Sequence, residues 1–160
     1  MLYDQSNYIW KAVGMGAVAG MRAMSAPALL SDELSRMPSS SLAHSPLHFL
    51  QSDTVAKGLK VLAATELLGD KLPKVPDRIK APSLAIRAVS GAVVGATVFT
   101  ANKADTAKGA LVGAAAAIAG TFASFYLRKA IKKYTNLPDS ISGTIEDAIM
   151  FSSGLAITKA

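Results

Sequence analysis

The chain has 160 residues, of which 51% are hydrophobic and 18% are charged, and its net charge is +6. Soluble domains carry about 25% charged residues, and an excess of Ala and Gly over bulky apolar residues is typical of helices that pack closely in lipid. The absence of cysteine excludes disulfides and thiolate metal sites. The basic residues lie in short groups beside apolar runs, as at Arg128 and Lys129, which indicates orientation in a membrane rather than nucleic-acid binding.

The first predicted helix covers about residues 8–30. It opens with two aromatic residues and a lysine, which together are typical of an anchor at a membrane interface: Tyr8, Trp10 and Lys11. One face carries small residues at four-residue spacing, which favours close helix packing: Ala12, Gly16 and Gly20. Arg22 interrupts the apolar run, and we expect Pro27 to kink the helix near its end.

Residues 31–52 are predicted to form a loop with at most a short surface helix, because Pro46 interrupts the apolar residues that would line one side of it. Those residues are Leu42, Leu47 and Leu50. His44 and His48 have the spacing of a helical metal pair. No acidic third ligand accompanies them, so we interpret them as loop residues and expect neither a metal nor a cofactor.

The second predicted helix covers residues 53–69, with Asp53 or Thr54 as its N-cap. Its apolar part is short, so it spans a bilayer only if Lys57 and Lys60 extend their charges outward. A re-entrant or interfacial element is the alternative. The basic, proline-rich stretch that follows is predicted to be a loop.

The third predicted helix, residues 82–101, carries Gly91 and Gly95 in a GxxxG spacing, and a tight polar turn follows it. The fourth, residues 107–127, is long enough at ~1.5 Å per residue to cross the ~30 Å hydrocarbon core, and it repeats the spacing at Gly109 and Gly113. The fifth, residues 138–157, contains Glu146.

Two pairs of segments resemble each other. Residues 11–20 resemble 87–96, and residues 53–64 resemble 105–116 with one residue deleted. We interpret this as an internal two-helix repeat. Chance similarity between Ala/Gly-rich segments is the alternative.

If all five helices span the membrane, ten basic residues, Lys11 among them, fall on one side and six on the other, with Arg22 inside the first helix. The positive-inside bias then places the N-terminus in the cytoplasm.

Charged groups at membrane depth need partners or water. Glu66 and Arg87 lie at similar depths from the same edge of the membrane in the predicted helices, so we expect them to pair. Arg22 pairs with Glu146 or Asp147 if the arginine side chain reaches down. These pairs would either fix helix register or line a polar path for an ion or small solute. Paired carboxylates at Glu66 and at Asp70 raise the question of acid–base catalysis, but nearby cations favour salt bridges, and we expect no enzyme.

Three segments carry a resemblance to a known family: GMRAMSAPALLS at 20–31, ELLGDKLPKVPDRIKAPS at 66–83 and LPDSISGTIEDA at 137–148. The chain resembles the small bacterial membrane proteins grouped as domain of unknown function 4126. The resemblance implies an integral membrane protein and no particular activity. Within the matching segments, the charged residues to test are Arg22, Glu66, Asp70, Lys71, Asp77, Arg78 and Arg87.

The sequence therefore predicts a single all-α domain over residues 1–160. We expect a polytopic transmembrane bundle of four to five helices in the bacterial inner membrane. Its expected partners are lipid and either further copies of itself or another membrane protein, and not nucleic acid. The leading functional hypothesis is a small carrier or channel-like protein, and the alternative is a structural or accessory subunit that transports nothing.

Overall fold

The computed structural model describes the backbone of residues 5–69, 79–135, Ala148, Met150 and 152–157, and this described part is helical with no strand. The α-helices are α1 (Gln5–Met21), α2 (Ser25–Arg36), α3 (Asp53–Gly69), α4 (Ala81–Ala101) and α5 (Thr106–Thr135). A 3-10 helix, Pro46–Gln51, precedes α3. The all-α prediction is confirmed.

The centre of the fold consists of α1, α4 and α5, and α5 packs extensively on both of the others. The contact between α4 and α5 is antiparallel, with Gly91 next to Gly113 and Gly95 next to Gly109. A Cβ atom added at Gly109 would lie 2.6 Å from the Cβ atom of Phe99. The GxxxG spacings therefore bring two backbones into direct contact, as the small-residue pattern predicts.

The contact between α1 and α5 is parallel and equally close. A Cβ atom at Gly16 would lie 2.7 Å from the Gly113 carbonyl oxygen, and one at Gly120 would lie the same 2.7 Å from the carbonyl oxygen of Ala17. The small-residue faces that could have joined two copies of the chain are thus occupied within one copy. The prediction of self-association loses its basis in those faces and stays untested.

The chain reverses direction between α1 and α2. Lys11 Nζ lies 3.0 Å from Glu33 Oε1 although the two residues are 22 positions apart in the sequence. In a continuous helix, two residues with that spacing would lie ~33 Å apart. The prediction of one helix over residues 8–30 with a late kink at Pro27 is therefore wrong. The helix ends at Met21, and α2 runs back along it as a hairpin.

A second layer covers α2. The helix α3 packs antiparallel on α2, with Lys60 bound to Asp32 near one end and Glu66 bound to Met24 at the other. The 3-10 helix also packs on α2, and it buries Leu50, whose carbonyl oxygen accepts a hydrogen bond of 2.7 Å from Ser31.

The prediction of a loop over residues 31–52 is wrong for residues 31–36, which belong to α2, whereas the other predicted elements agree better with the structure. The second and third predicted helices match α3 and α4 to within a residue, and the fourth, predicted to end at 127, extends through 135. Pro46 was expected to interrupt a helix, but it begins the 3-10 helix, because its missing N–H is not needed there. The polar turn after α4 is confirmed, with Lys103 in the left-handed region at φ 58°.

Only part of the fifth predicted helix belongs to the described residues. Those residues, Ala148, Met150 and 152–157, are helical. They lie against α1 and α2: a Cβ atom at Gly154 would contact Leu29 at 2.6 Å, and one at Gly14 would contact Ile157 at 2.7 Å.

The segments of the proposed repeat are not packed equivalently, since α5 packs along α4 whereas α3 packs on α2. The repeat itself stays a prediction.

Candidate functional site at the break between α1 and α2

The break consists of residues 22–24, between the end of α1 and the start of α2. In an unbroken helix each carbonyl accepts from the amide four residues later. At the break these pairs are separated, so the last carbonyls of α1 and the first amides of α2 need other partners. Inside an apolar bundle an unpaired backbone group is expensive, which makes its partners the first thing to establish.

Arg87 of α4 binds the carbonyl end of the break. Its Nη1 atom donates to the carbonyl oxygens of Gly20 at 2.5 Å and Met21 at 2.6 Å. The arginine is 5% exposed. The Thr121 hydroxyl of α5 lies 3.0 Å from Gly20 O and 2.8 Å from Ala117 O of its own helix, so its single proton is shared between these two acceptors. A cation at the carbonyl end of a helix is also favoured by the helix dipole.

Glu66 of α3 binds the amide end of the break. Its two carboxylate oxygens accept hydrogen bonds of 2.9 Å each from the backbone N–H groups of Ala23 and Met24. Glu66 thus does what an N-cap side chain does for its own helix, but from a residue more than forty positions away. The negative charge at the start of α2 matches the positive end of that helix dipole.

Pro27 explains why the break lies where it does. A proline inside a helix cannot donate to the carbonyl four residues earlier, and its ring clashes with that carbonyl. Here that carbonyl belongs to Ala23, and it accepts instead from the Ser90 hydroxyl of α4. Pro27 falls in the first turn of α2, where no intrahelical donor is lost.

Arg22 is the first residue of the break and is 4% exposed. Its Nη1 atom lies 3.5 Å from the backbone oxygen of Glu66. The sequence predicted an ion pair between Glu66 and Arg87. The structure brings both residues to the break, but each binds the backbone at opposite ends of it rather than the other side chain.

Six of the nine predicted site residues lie outside the described residues: Asp70, Lys71, Asp77, Arg78, Glu146 and Asp147. The predicted partnership of Arg22 with Glu146 or Asp147 therefore stays a prediction. The three described ones, Arg22, Glu66 and Arg87, all meet at the break.

Ser90 and Thr121 were not predicted as site residues, since hydroxyls in an apolar helix give no distinctive signal. His44 is exposed on the loop that precedes the 3-10 helix, and His48 is exposed on the helix itself. Among the described residues no group of three or more His, Cys, Asp or Glu could hold a metal ion.

The break lies near mid-height of the two longest apolar helices. By length and composition, Ala81–Ala101 and Thr106–Ala130 could each cross a membrane. Arg87 lies about four residues, or ~6 Å, from the middle of the first, and Thr121 about three residues, or ~4.5 Å, from the middle of the second. Within the described residues, α1, α2 and α3 do not meet the same criterion.

These features define an all-α protein with two helices suited to a membrane and a backbone break that charged side chains bind from neighbouring helices. The chain belongs to the family described as Domain of unknown function (DUF4126), whose profile matches residues 9–158. The family resemblance predicted from the sequence is confirmed. No curated protein and no solved structure matches the chain.

Proposed function

We propose that this is an integral membrane protein that acts as a small carrier for an ion or small solute, with the break between α1 and α2 as its polar element. The observation that carries the proposal is the position of the break, near mid-height of α4 and α5, with its backbone groups bound by Arg87 and Glu66. Secondary transporters place their substrate sites at interrupted helices near the bilayer midplane.

Support for the membrane comes from the outer surface of the helices. Val89 of α4 is 64% exposed and Leu111 of α5 is 72% exposed. Further large apolar side chains are exposed on the same two helices: Ile86, Ile118, Phe122 and Leu127. An apolar surface of this extent is unusual facing water and is expected facing lipid. Trp10, 70% exposed beside Lys11 near the start of α1, suits the membrane interface.

In this arrangement α1 and α2 form a re-entrant hairpin that enters and leaves on one side, with its tip at the break. Irregular backbone at membrane depth is tolerated only where protein or a polar cavity surrounds it, and α3, α4 and α5 surround the tip. The re-entrant alternative raised from the sequence concerns residues 53–69, which form α3, and it stays a prediction there. The re-entrant hairpin of α1 and α2 is a separate part of the present proposal.

The hairpin changes the charge count behind the expected orientation. Tyr8 of α1 packs edge-on against Phe99 of α4, with ring centroids 4.8 Å apart. The start of α1 therefore lies at the end of the bundle with the α4–α5 turn, not with Arg128. Among the described residues, five basic residues then lie at the end with Arg128 and six at the end with the α4–α5 turn, so the positive-inside bias does not decide between the two orientations and the cytoplasmic N-terminus stays a prediction. The five are Lys80, Arg128, Lys129, Lys132 and Lys133, and the six are Lys11, Arg36, Lys57, Lys60, Lys103 and Lys108.

The absence of native cysteine gives a direct test of orientation. Single substitutions Lys103→Cys and Lys129→Cys mark the two ends of α5. Because α5 is proposed to span the membrane, a membrane-impermeant maleimide added to intact spheroplasts is expected to label one of the two and not the other. Labelling of Lys103→Cys alone would place the α4–α5 turn outside, and labelling of Lys129→Cys alone would place it in the cytoplasm with the N-terminus. Labelling of both in intact spheroplasts would contradict a span between them.

The second candidate is a structural or accessory subunit that binds lipid or another membrane protein. It is favoured by the observation that Glu66, Arg87, Ser90 and Thr121 each bind the backbone of the break. Side chains engaged in this way hold the hairpin tip in place, which is a sufficient role for buried charges without transport. No catalytic role is proposed.

One experiment on purified protein separates the two candidates. The wild type and the variants Glu66→Gln and Glu33→Gln are reconstituted in vesicles loaded with ion-sensitive dyes, after carbonate extraction has tested integration in the membrane. A carrier is expected to give a flux that Glu66→Gln changes several-fold and Glu33→Gln, far from the break, leaves intact. No flux of any tested ion, with the protein folded and integrated, would favour the accessory role.

A further inference from the structure

The two ends of the helical bundle differ in how their basic residues are paired. At the end with the α4–α5 turn, five of the six basic residues form ion pairs of 2.5–4.0 Å with carboxylates. Those carboxylates are Asp32, Glu33, Asp53 and Asp105. The fifth described carboxylate, Glu66, lies at the break, so the described residues place no carboxylate among the five basic residues at the end with Arg128. This end therefore carries positive charge that no described acidic residue balances.

Lys80 and Lys129 present this charge at the depth of phospholipid headgroups. Both are exposed, and neither side chain forms an ion pair within the described part of the chain. Lys80 lies about eleven residues, or ~16 Å, from the middle of Ala81–Ala101. Lys129 lies equally far from the middle of Thr106–Ala130. Half of the ~30 Å hydrocarbon core is ~15 Å, so in a bilayer both ammonium groups would lie at its polar boundary.

An apolar stripe on the outer face of α5 leads directly to Lys129. The stripe consists of Leu111, Ile118, Phe122 and Tyr126, and all four side chains are exposed. Their spacings of seven and four residues, with Lys129 three residues further on, place all five on one face of the helix. An acyl chain that lies along this stripe would bring its headgroup to the lysine.

Lys80 belongs to the neighbouring helix and lies near the same level. The antiparallel contact of α4 and α5 brings Gly91 next to Gly113, and this register places Lys80 level with Ser124. Along the helix axis, Lys80 is then about five residues, or ~7 Å, from Lys129. A lysine side chain is a flexible four-carbon stem, so both ammonium groups can approach the same headgroup region.

We propose that the end of α4 and α5 with Arg128 binds an anionic phospholipid. Its acyl chain lies along the apolar stripe of α5, its phosphate accepts a hydrogen bond from Lys129, and Lys80 adds a second positive charge. A zwitterionic lipid offers the same phosphate, but the lysines repel its cationic group, so a net negative headgroup is preferred. This inference rests on the membrane integration in the proposed function and holds whether or not the protein transports.

The test measures lipid binding to the detergent-solubilised full chain by native mass spectrometry. Phosphatidylglycerol and phosphatidylcholine with identical acyl chains are titrated separately, and the ratio of their half-saturating mole fractions gives the preference for the anionic lipid. The wild type is expected to prefer phosphatidylglycerol several-fold. Lys129→Gln is expected to reduce the preference by about fivefold, the effect of one lysine near an anionic surface. Lys80→Gln is expected to reduce it as well, and both variants are expected to melt like the wild type because no ion pair is lost.

Lys108→Gln is the matched control. Lys108 is also an exposed lysine of α5, but it lies at the other end of the helix, where Asp105 is 4.0 Å from its ammonium group. This variant is expected to keep the preference of the wild type.

The inference is overturned if the wild type binds both lipids equally, or if Lys108→Gln reduces the preference as much as Lys129→Gln. It is also overturned if sodium phosphate displaces phosphatidylglycerol where sodium chloride of equal ionic strength does not, because the site would then bind free phosphate. Its failure can be told apart from that of the proposed function. Carbonate-resistant integration without a lipid preference would contradict this site alone, whereas release by carbonate would contradict the membrane protein itself.

Discussion

Replacement of Gly95 by alanine would add a methyl group at one of the close backbone contacts between α4 and α5. The new Cβ atom would lie 2.9 Å from Gly113 Cα and 3.0 Å from Gly113 N, and still closer to the carbonyl oxygen of Gly109. All three neighbours are backbone atoms of α5, so no side-chain rotation can make room. The two helices would have to move apart.

The magnitude follows from two opposing effects. Alanine is favoured over glycine within a helix by about 1 kcal/mol. Overpacking a close contact costs typically 1–3 kcal/mol and occasionally more, and the upper part of that range applies where only backbone can yield. We expect a net loss of about 1–2 kcal/mol, which for a chain of this size lowers the melting temperature by roughly 2–8 °C.

Gly58 provides the matched control, because a Cβ atom added there, within α3, would have no heavy atom within 4 Å. Gly58→Ala is therefore expected to gain up to about 1 kcal/mol and raise the melting temperature by roughly 2–4 °C. Both variants are measured by circular dichroism in the same detergent. If Gly95→Ala stabilised the protein as much as Gly58→Ala, the close packing of α4 on α5 would be disproved.

Three further predictions concern the hairpin. Arg87→Met is expected to destabilise the protein by about 3 kcal/mol or more in thermal unfolding, because two charge-assisted bonds to carbonyls are lost, and an unchanged melting temperature would contradict its role at the break. Ser90→Ala leaves the Ala23 carbonyl without its donor and is expected to cost about 1–3 kcal/mol, whereas equal stability would show that this carbonyl has another partner. The hydrogen bond from Lys60 holds the pKa of Asp32 below its usual value, against the effect of its desolvation. This contribution, about 1 kcal/mol or less, is therefore present above the unfolded pKa of ~3.9 and is lost as pH falls through the lower folded pKa. Asp32→Asn is expected to remove that acid-side loss in melting curves, and an unchanged pH profile would contradict the coupling to Lys60.

Much of the helical architecture could be predicted from local sequence. Asp53 at the start of α3 and the proline near the start of α4 are reliable helix-start signals, and both helices begin within a residue of the prediction. The glycine spacings at Gly91 and Gly113 correctly predicted backbone contact, since only a residue without a side chain permits that approach. These features depend on residues a few positions apart.

The reversal at the break could not be predicted in the same way. Pro27 signals an interruption, but its effect falls on the carbonyl of Ala23, four residues earlier. Whether the chain kinks or turns back there depends on partners for the released backbone groups. These partners come from three other helices: Glu66, Ser90, Arg87 and Thr121. Interactions over more than forty positions leave no periodic pattern in the sequence.

The buried charged side chains hydrogen-bond to the backbone rather than to each other for the same reason. A pair such as Glu66 and Arg87, placed at one depth, suggests a salt bridge when helices are assumed to be continuous. Once a helix is broken inside an apolar bundle, its ends carry unpaired N–H and C=O groups and partial charges of opposite sign. A carboxylate is the strongest partner for the amide end and a guanidinium for the carbonyl end. Charged residues at membrane depth beside a proline are therefore better interpreted first as ligands of a helix break.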